Sequence, residues 1–203
     1  MKKCLLFVAT LVLLSGCCTK QESMENPSQV VMDNILSRKS VRQFTGEAVS
    51  PDKVEQLLRA GMAAPSAVNK QPWFFIVVDN ADLIKQLGDS LPASRMGNNA
   101  SLGIIPCGDF NNTLDGPARD FWIQDCSAVT ENILLAAHSM GLGAVWTALT
   151  ITSDDDARTD KARAILNIPE HLHPLCIITI GVPAEDPAPK DKWDINKIHY
   201  NKF

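Results

Sequence analysis

Ser37-Arg38-Lys39-Ser40-Val41-Arg42 places three cations and two hydroxyls in six consecutive residues. Guanidinium forks and serine hydroxyls suit the oxygens of a phosphate ester, because charged donors make short, strong hydrogen bonds. The run also follows a short apolar-periodic segment (Val30, Val31, Ile35, Leu36). A solvated helix end, where cations favour the C-terminal dipole, has the same composition. On these residues alone both readings stand.

A second stretch, Ala64-Pro65-Ser66-Ala67-Val68-Asn69-Lys70-Gln71-Pro72-Trp73, combines small residues, amides and two prolines. It reads as a tight polar loop leading into the apolar, strand-like run Phe74–Val78. No catalytic triad, carboxylate pair or metal-ligand spacing emerges. His138, His171, His173 and His199 share no pattern, and His138 reads as a hydrogen-bonded core or interface residue. Recognition elements without a nucleophile point to chemistry carried by a cofactor.

Taken together, the two stretches resemble the nitroreductase family of FMN-dependent oxidoreductases. The family's R-x-S-x-R element matches Arg38, Ser40 and Arg42. Its P-S-x-x-N-x-Q-P-W loop matches Pro65, Ser66, Asn69, Gln71, Pro72 and Trp73. Gly141-Leu142-Gly143-Ala144-Val145-Trp146 and Gly181-Val182-Pro183, with Lys190 and Lys192, follow in order. The resemblance runs from Asp33 to Tyr200.

The resemblance implies that Arg38, Lys39, Ser40 and Arg42 bind the FMN phosphate and ribityl chain, with Lys190 and Lys192 completing the phosphate site. It implies that Pro65, Ser66, Ala67 and Asn69 line the isoalloxazine ring, from the partner protomer of a homodimer. Trp146, Thr147, Ala148 and Leu149 fall beside the ring, and the C-terminal tail crosses to the partner. Flavin N5 would take hydride or electrons from NADH, NADPH or another donor and pass them, by a ping-pong mechanism, to a nitroaromatic, quinone or similar acceptor. A flavin-based dehalogenase, a flavin-destroying relative on the same fold, and a lipoprotein that binds flavin without turnover stay open. Gly141 and Gly143 follow a helix rather than a strand, so a dinucleotide fingerprint fails.

Lys2 and Lys3 precede an apolar run, Leu5–Leu14, that falls short of the ~20 residues of a membrane span and reads as a signal peptide. It ends in Leu14-Ser15-Gly16-Cys17, which resembles the lipobox of bacterial lipoproteins and makes Cys17 the expected lipid-attachment residue. The expected organisation is a leader over 1–16, a flexible tether over 17–29 and one domain over 30–203. The expected location is the cell envelope, lipid-anchored on the extracytoplasmic side of a bacterial membrane. Losing Lys2 and Lys3 with the leader makes the formal charge of −4 more negative by two. That balance argues against a nucleic-acid partner, which calls for a basic face. Cys107 and Cys176 sit in apolar strand-like contexts and read as buried thiols. A disulfide involving Cys107, Cys126 or Cys176 stays open.

The expected class is α+β, a mixed sheet flanked by helices around a long central helix. Ser50-Pro51-Asp52 opens a helix with apolar residues at Val54, Leu57, Leu58 and Met62. Asp82–Leu87 and Asp156–Leu166 are further helices, and Phe121–Met140, stopped by Gly141, is the longest. Strands are expected over 74–78, 102–107, 144–149 and 174–182. The tail from Pro183 to Phe203 has no helical period.

Overall fold

The structure is a computed structural model that describes residues 26–90, 97, 99–150 and 157–203. The leader, Cys17 and most of the expected tether lie outside the described residues. The first helix, α1 (Pro27–Ser37), starts inside the stretch read as tether. Asn26 caps it, its side chain accepting the Ser28 N–H at 3.0 Å, and Pro27 takes the first helical position. No residue of α1 is buried, and Val31 and Leu36 are more than half exposed.

Then come α2 (Pro51–Met62), β1 (Trp73–Val78), α3 (Ala81–Ser90), β2 (Leu102–Asp109), α4 (Phe121–Ser139), β3 (Gly143–Ala148), α5 (Ala157–Leu166), β4 (Leu172–Pro174) and β5 (Cys176–Gly181). The described strands form one sheet in the order β1-β2-β5-β3, with β4 also paired to β2. Every strand pairing is antiparallel. Among the described residues, the parallel component expected of a mixed sheet is one bridge, Ser40 to Ala144. The strand expected over 174–182 is two pieces, broken where Leu175 turns its N–H to the Pro106 carbonyl.

β2 and β5 read as continuous apolar runs because both faces of the sheet are covered. Leu102 and Ile104 of β2, with Cys176, Ile178 and Ile180 of β5, pack with Leu57 of α2 and Val129 and Ile133 of α4. Ile105, Cys107 and Ile177 point the other way, to Ile84 and Leu87 of α3 and Ala162 of α5. This is the period-two alternation of a strand between two helical layers. Cys107, Cys126 and Cys176 are all buried and free, so no disulfide joins them. Burial pushes the Cys107 and Cys176 thiols up to about 12, which keeps them inert.

α4 is the central helix. Eight of its nineteen residues are buried, enough to bury a face along its whole length. Gly141 (φ +73°) ends it in a Schellman turn, with Leu142 N–H on the Ala137 carbonyl at 2.9 Å and Gly141 N–H on that of His138. Gly143 answers a different demand: a Cβ there would stand 2.7 Å from Val41, so β3 can approach the segment after α1 only without a side chain.

Candidate functional site

The chain from Ser40 to Thr45 is threaded between β3 and the strand-like continuation of β5. Val41 donates to the Ala144 carbonyl at 3.0 Å, Thr45 to that of Val182 at 3.0 Å, and Ala184 to that of Gln43 at 2.8 Å. Phe44 and Pro183 form an antiparallel bridge, and Val41 and Phe44 are buried beneath it. Glu185 then accepts the backbone N–H groups of Arg42 at 2.6 Å and Gln43 at 3.1 Å. This zipper turns the start of the tail back over the opening motif.

Its result is a cleft of about 430 Å³ lined by Arg38, Lys39, Ser40, Arg42, Pro187, Ala188, Lys190 and Lys192. The six residues expected to hold a phosphate, from both ends of the domain, thus share one concavity. Arg38 pairs with Glu131 of α4 at 3.4 Å, and Lys39 is hydrogen-bonded to Asp186, whose carboxyl it holds below the usual range. Arg42, Lys190 and Lys192 have no ion pair among the described residues. Arg42 Nε is also buried without a hydrogen-bond partner among them. A buried charged donor left unpaired is costly, and an anionic ligand in the cleft would satisfy it.

His138 lines a smaller pocket that shares Lys39 with the cleft. Ser37 Oγ stands 2.8 Å from its Nε2 and gives its own proton to the Asp33 carbonyl, so Nε2 is the donor of the pair. Burial, with the charges of Lys39 and Arg38, holds this imidazole below its ordinary value, against an opposing pull from Asp186.

Pro65, Ser66, Ala67 and Asn69 form a separate turn between α2 and β1, and none of them lines the cleft. Val68, Asn69 and Gln71 all have positive φ (42°, 57° and 50°). Ser66 Oγ accepts the Gln71 N–H at 2.9 Å, and Asn112 Nδ2 reaches the Lys70 carbonyl at 3.1 Å. From the core, Asp125 accepts the Ala67 N–H at 2.8 Å. Trp146, Thr147 and Ala148 are half-buried on β3, and the Thr147 hydroxyl is buried without a partner among the described residues. The Leu149 side chain is fully buried and its N–H goes to the Leu175 carbonyl at 3.0 Å.

Sequence reasoning missed Asp125, Glu185 and Asp186. An acid on the apolar stripe of the longest helix, and two acids between the closing motif and the lysine pair, were the available signals.

The Nitroreductase family model matches residues 35–94 and 92–182. Two similar proteins share the name "Putative NADH dehydrogenase/NAD(P)H nitroreductase". One, from Methanothermobacter thermautotrophicus, is 39% identical over 85% of this chain and 87% of its own. The other, a solved structure from Bacteroides thetaiotaomicron, is 42% identical with a TM-score of 0.78 and covers 86% of this chain and 98% of its own. A solved FMN-dependent nitroreductase from Clostridium difficile is 29% identical with a TM-score of 0.75, over 85% of this chain and 99% of its own. Motifs, fold and relatives agree, and the chain belongs to the nitroreductase family.

Proposed function

We propose that the protein is an NAD(P)H-dependent FMN oxidoreductase. It works as a homodimer and delivers electrons from a reduced nicotinamide to a nitroaromatic, quinone or similar flat acceptor. The observation that carries this reading is the cationic cleft with the buried, unpartnered Arg42 Nε. FMN would supply the hydride chemistry that no side chain here offers.

The protein's part is to bind, orient and shield. Arg38, Arg42 and Ser40 suit phosphate oxygens as fork and hydroxyl donors, while Lys190 and Lys192 add point charges. Lys39 reaches the same oxygens when it exchanges Asp186 for a ligand. The turn from Pro65 to Asn69 lies outside the cleft of its own chain, which supports the view that it serves the ring of the partner's cofactor. Trp193, Ile195, Tyr200 and Phe203 are all more than half exposed, as a tail that packs on a second copy would be. Leu14–Cys17 supports lipid attachment at Cys17 and a place in the cell envelope. Cys17→Ala should then free the protein from membranes in its host, and a wholly soluble, unlipidated parent would exclude the anchor.

The test of function is an anaerobic titration of the purified, FMN-loaded protein with NADH and with NADPH, followed by flavin absorbance. Bleaching by either donor, reversed by a nitroaromatic or quinone, is the expected result. A chain that binds no flavin, or holds FMN that neither donor reduces, would overturn it.

A further inference from the structure

Asp125 stands on the buried side of α4, in line with Trp122 and Val129, and only 5% of its surface is exposed. No cation pairs with it among the described residues. Burial raises its carboxyl from the ordinary value, and the Ala67 N–H pulls it back. A carboxylate buried without a counter-ion is costly, so an apolar residue would serve the helix better. The hydrogen bond that Asp125 makes runs to the Ala67 N–H, at 2.8 Å.

Ala67 opens the turn in which Val68, Asn69 and Gln71 have left-handed backbone. That region is least tolerant of a β-branched residue such as Val68. Val68 is 79% exposed, so packing within the chain does not force it there. Backbone of this kind persists only where its surroundings over-determine it, and it clusters at ligand clamps. The turn's other side-chain bonds come from exposed or local groups, namely Ser66, Asn69 and Asn112. Asp125 is the tie to the helical core.

We infer that Asp125 is a positioning residue: through the Ala67 N–H it holds the left-handed turn of residues 67–71 in the shape that receives the flavin ring. The role rests on the FMN reading above. An anionic acceptor makes a stronger bond to an amide than a neutral one does, and its place in α4 fixes the turn to the rigid part of the fold.

The test compares the full chain with Asp125→Asn, which keeps an oxygen acceptor, and Asp125→Ala, which removes it. In the flavin-free proteins, amide hydrogen exchange at Ala67 should be slow in the parent and in Asp125→Asn. It should be about tenfold faster in Asp125→Ala, with protection in α4 unchanged. In fluorescence titrations Asp125→Ala should bind FMN and riboflavin about tenfold more weakly, by the same factor because the ring is common to both. Asp125→Asn should restore both affinities and the visible circular dichroism of bound flavin. Unchanged exchange at Ala67, a loss confined to FMN, or Asp125→Asn as impaired as Asp125→Ala would each overturn the assignment. If the parent binds neither flavin, the FMN reading falls, and exchange at Ala67 still decides whether Asp125 holds the turn. If Asp125→Ala does not fold, Ala67 exchange in the parent decides, and a rate equal to that of unbonded loop amides would overturn it.

Discussion

One carboxylate oxygen of Glu185 accepts the backbone N–H groups of both Arg42 and Gln43, at 2.6 and 3.1 Å. Glu185 therefore fastens the tail to the main chain of the opening motif, while Asp186 takes Lys39, and the side chains of Ser40 and Arg42 stay available to a ligand. Glu185→Ala removes the acceptor that these two amides share. It should lower stability by roughly 1–3 kcal/mol and weaken FMN, while Glu185→Gln keeps most of both. Denaturant unfolding and FMN titration measure the two effects. Equal stability in Glu185→Ala would assign the fastening to the backbone bonds around the Phe44–Pro183 bridge and to the Lys39–Asp186 pair.

Arg42→Ala should weaken FMN by about 10- to 150-fold, the worth of one charge-assisted partner at roughly 1.5–3 kcal/mol. Riboflavin, which has the ring without the phosphate, should bind as before. Arg38 already has Glu131 as a partner, so Arg38→Ala should cost less. Fluorescence quenching on the flavin-free parent and variants gives these constants. An equal loss of FMN and riboflavin would make Arg42 a support of the fold instead.

His138 is held below its ordinary value of 6.5, so folding favours the neutral ring. Its contribution is complete above the ordinary value and is lost as pH falls from there toward the lower folded value. The parent should therefore lose more thermal stability than His138→Gln between about pH 7.5 and 5.5. Melting curves of the two proteins across that range test this, and parallel pH profiles would refute it.

Removing Trp193–Phe203 spares Lys190 and Lys192 but strips four exposed large apolar side chains. The shortened chain should be monomeric and should hold FMN more weakly, because a ligand that binds only the assembled state is linked to assembly. Light scattering with FMN titration checks both. A dimer that persists with unchanged affinity would show that the interface lies elsewhere, with the exposed face of α1 as the next place to cut.

The parts of this protein that obey local rules were legible in its sequence. Pro51 and Gly141 mark helix ends through backbone chemistry of their own, and the apolar run from Leu102 belongs to a strand covered on both faces. The two halves of the cleft were legible because cations and hydroxyls cluster in recognisable types. The tie between them was not. Glu185 acts through main-chain amides that any residue supplies, so nothing in the types of Arg42 and Gln43 announces it. Asp125 hid in the same way, since an acid inside a long helical pattern reads as a solvent-facing residue until Trp122 and Val129 are seen on its side. The start of α1 was missed because Asn26 and Pro27 suit a tether as well as a capped helix. The break at Leu175 depends on a carbonyl sixty-nine positions earlier in the chain, at Pro106.

The fastening of Glu185 to Arg42 spans 143 residues of chain. Closing so long a loop costs entropy that only the finished sheet can offset, and such long-range contacts form late. A growing chain would carry Arg38–Arg42 long before Lys190 and Lys192 exist. The cleft is thus a record of completed synthesis: a truncated or half-folded chain has the first four donors but not the last two, and should hold the cofactor more weakly. Loading with FMN would mark the molecules whose two ends have met.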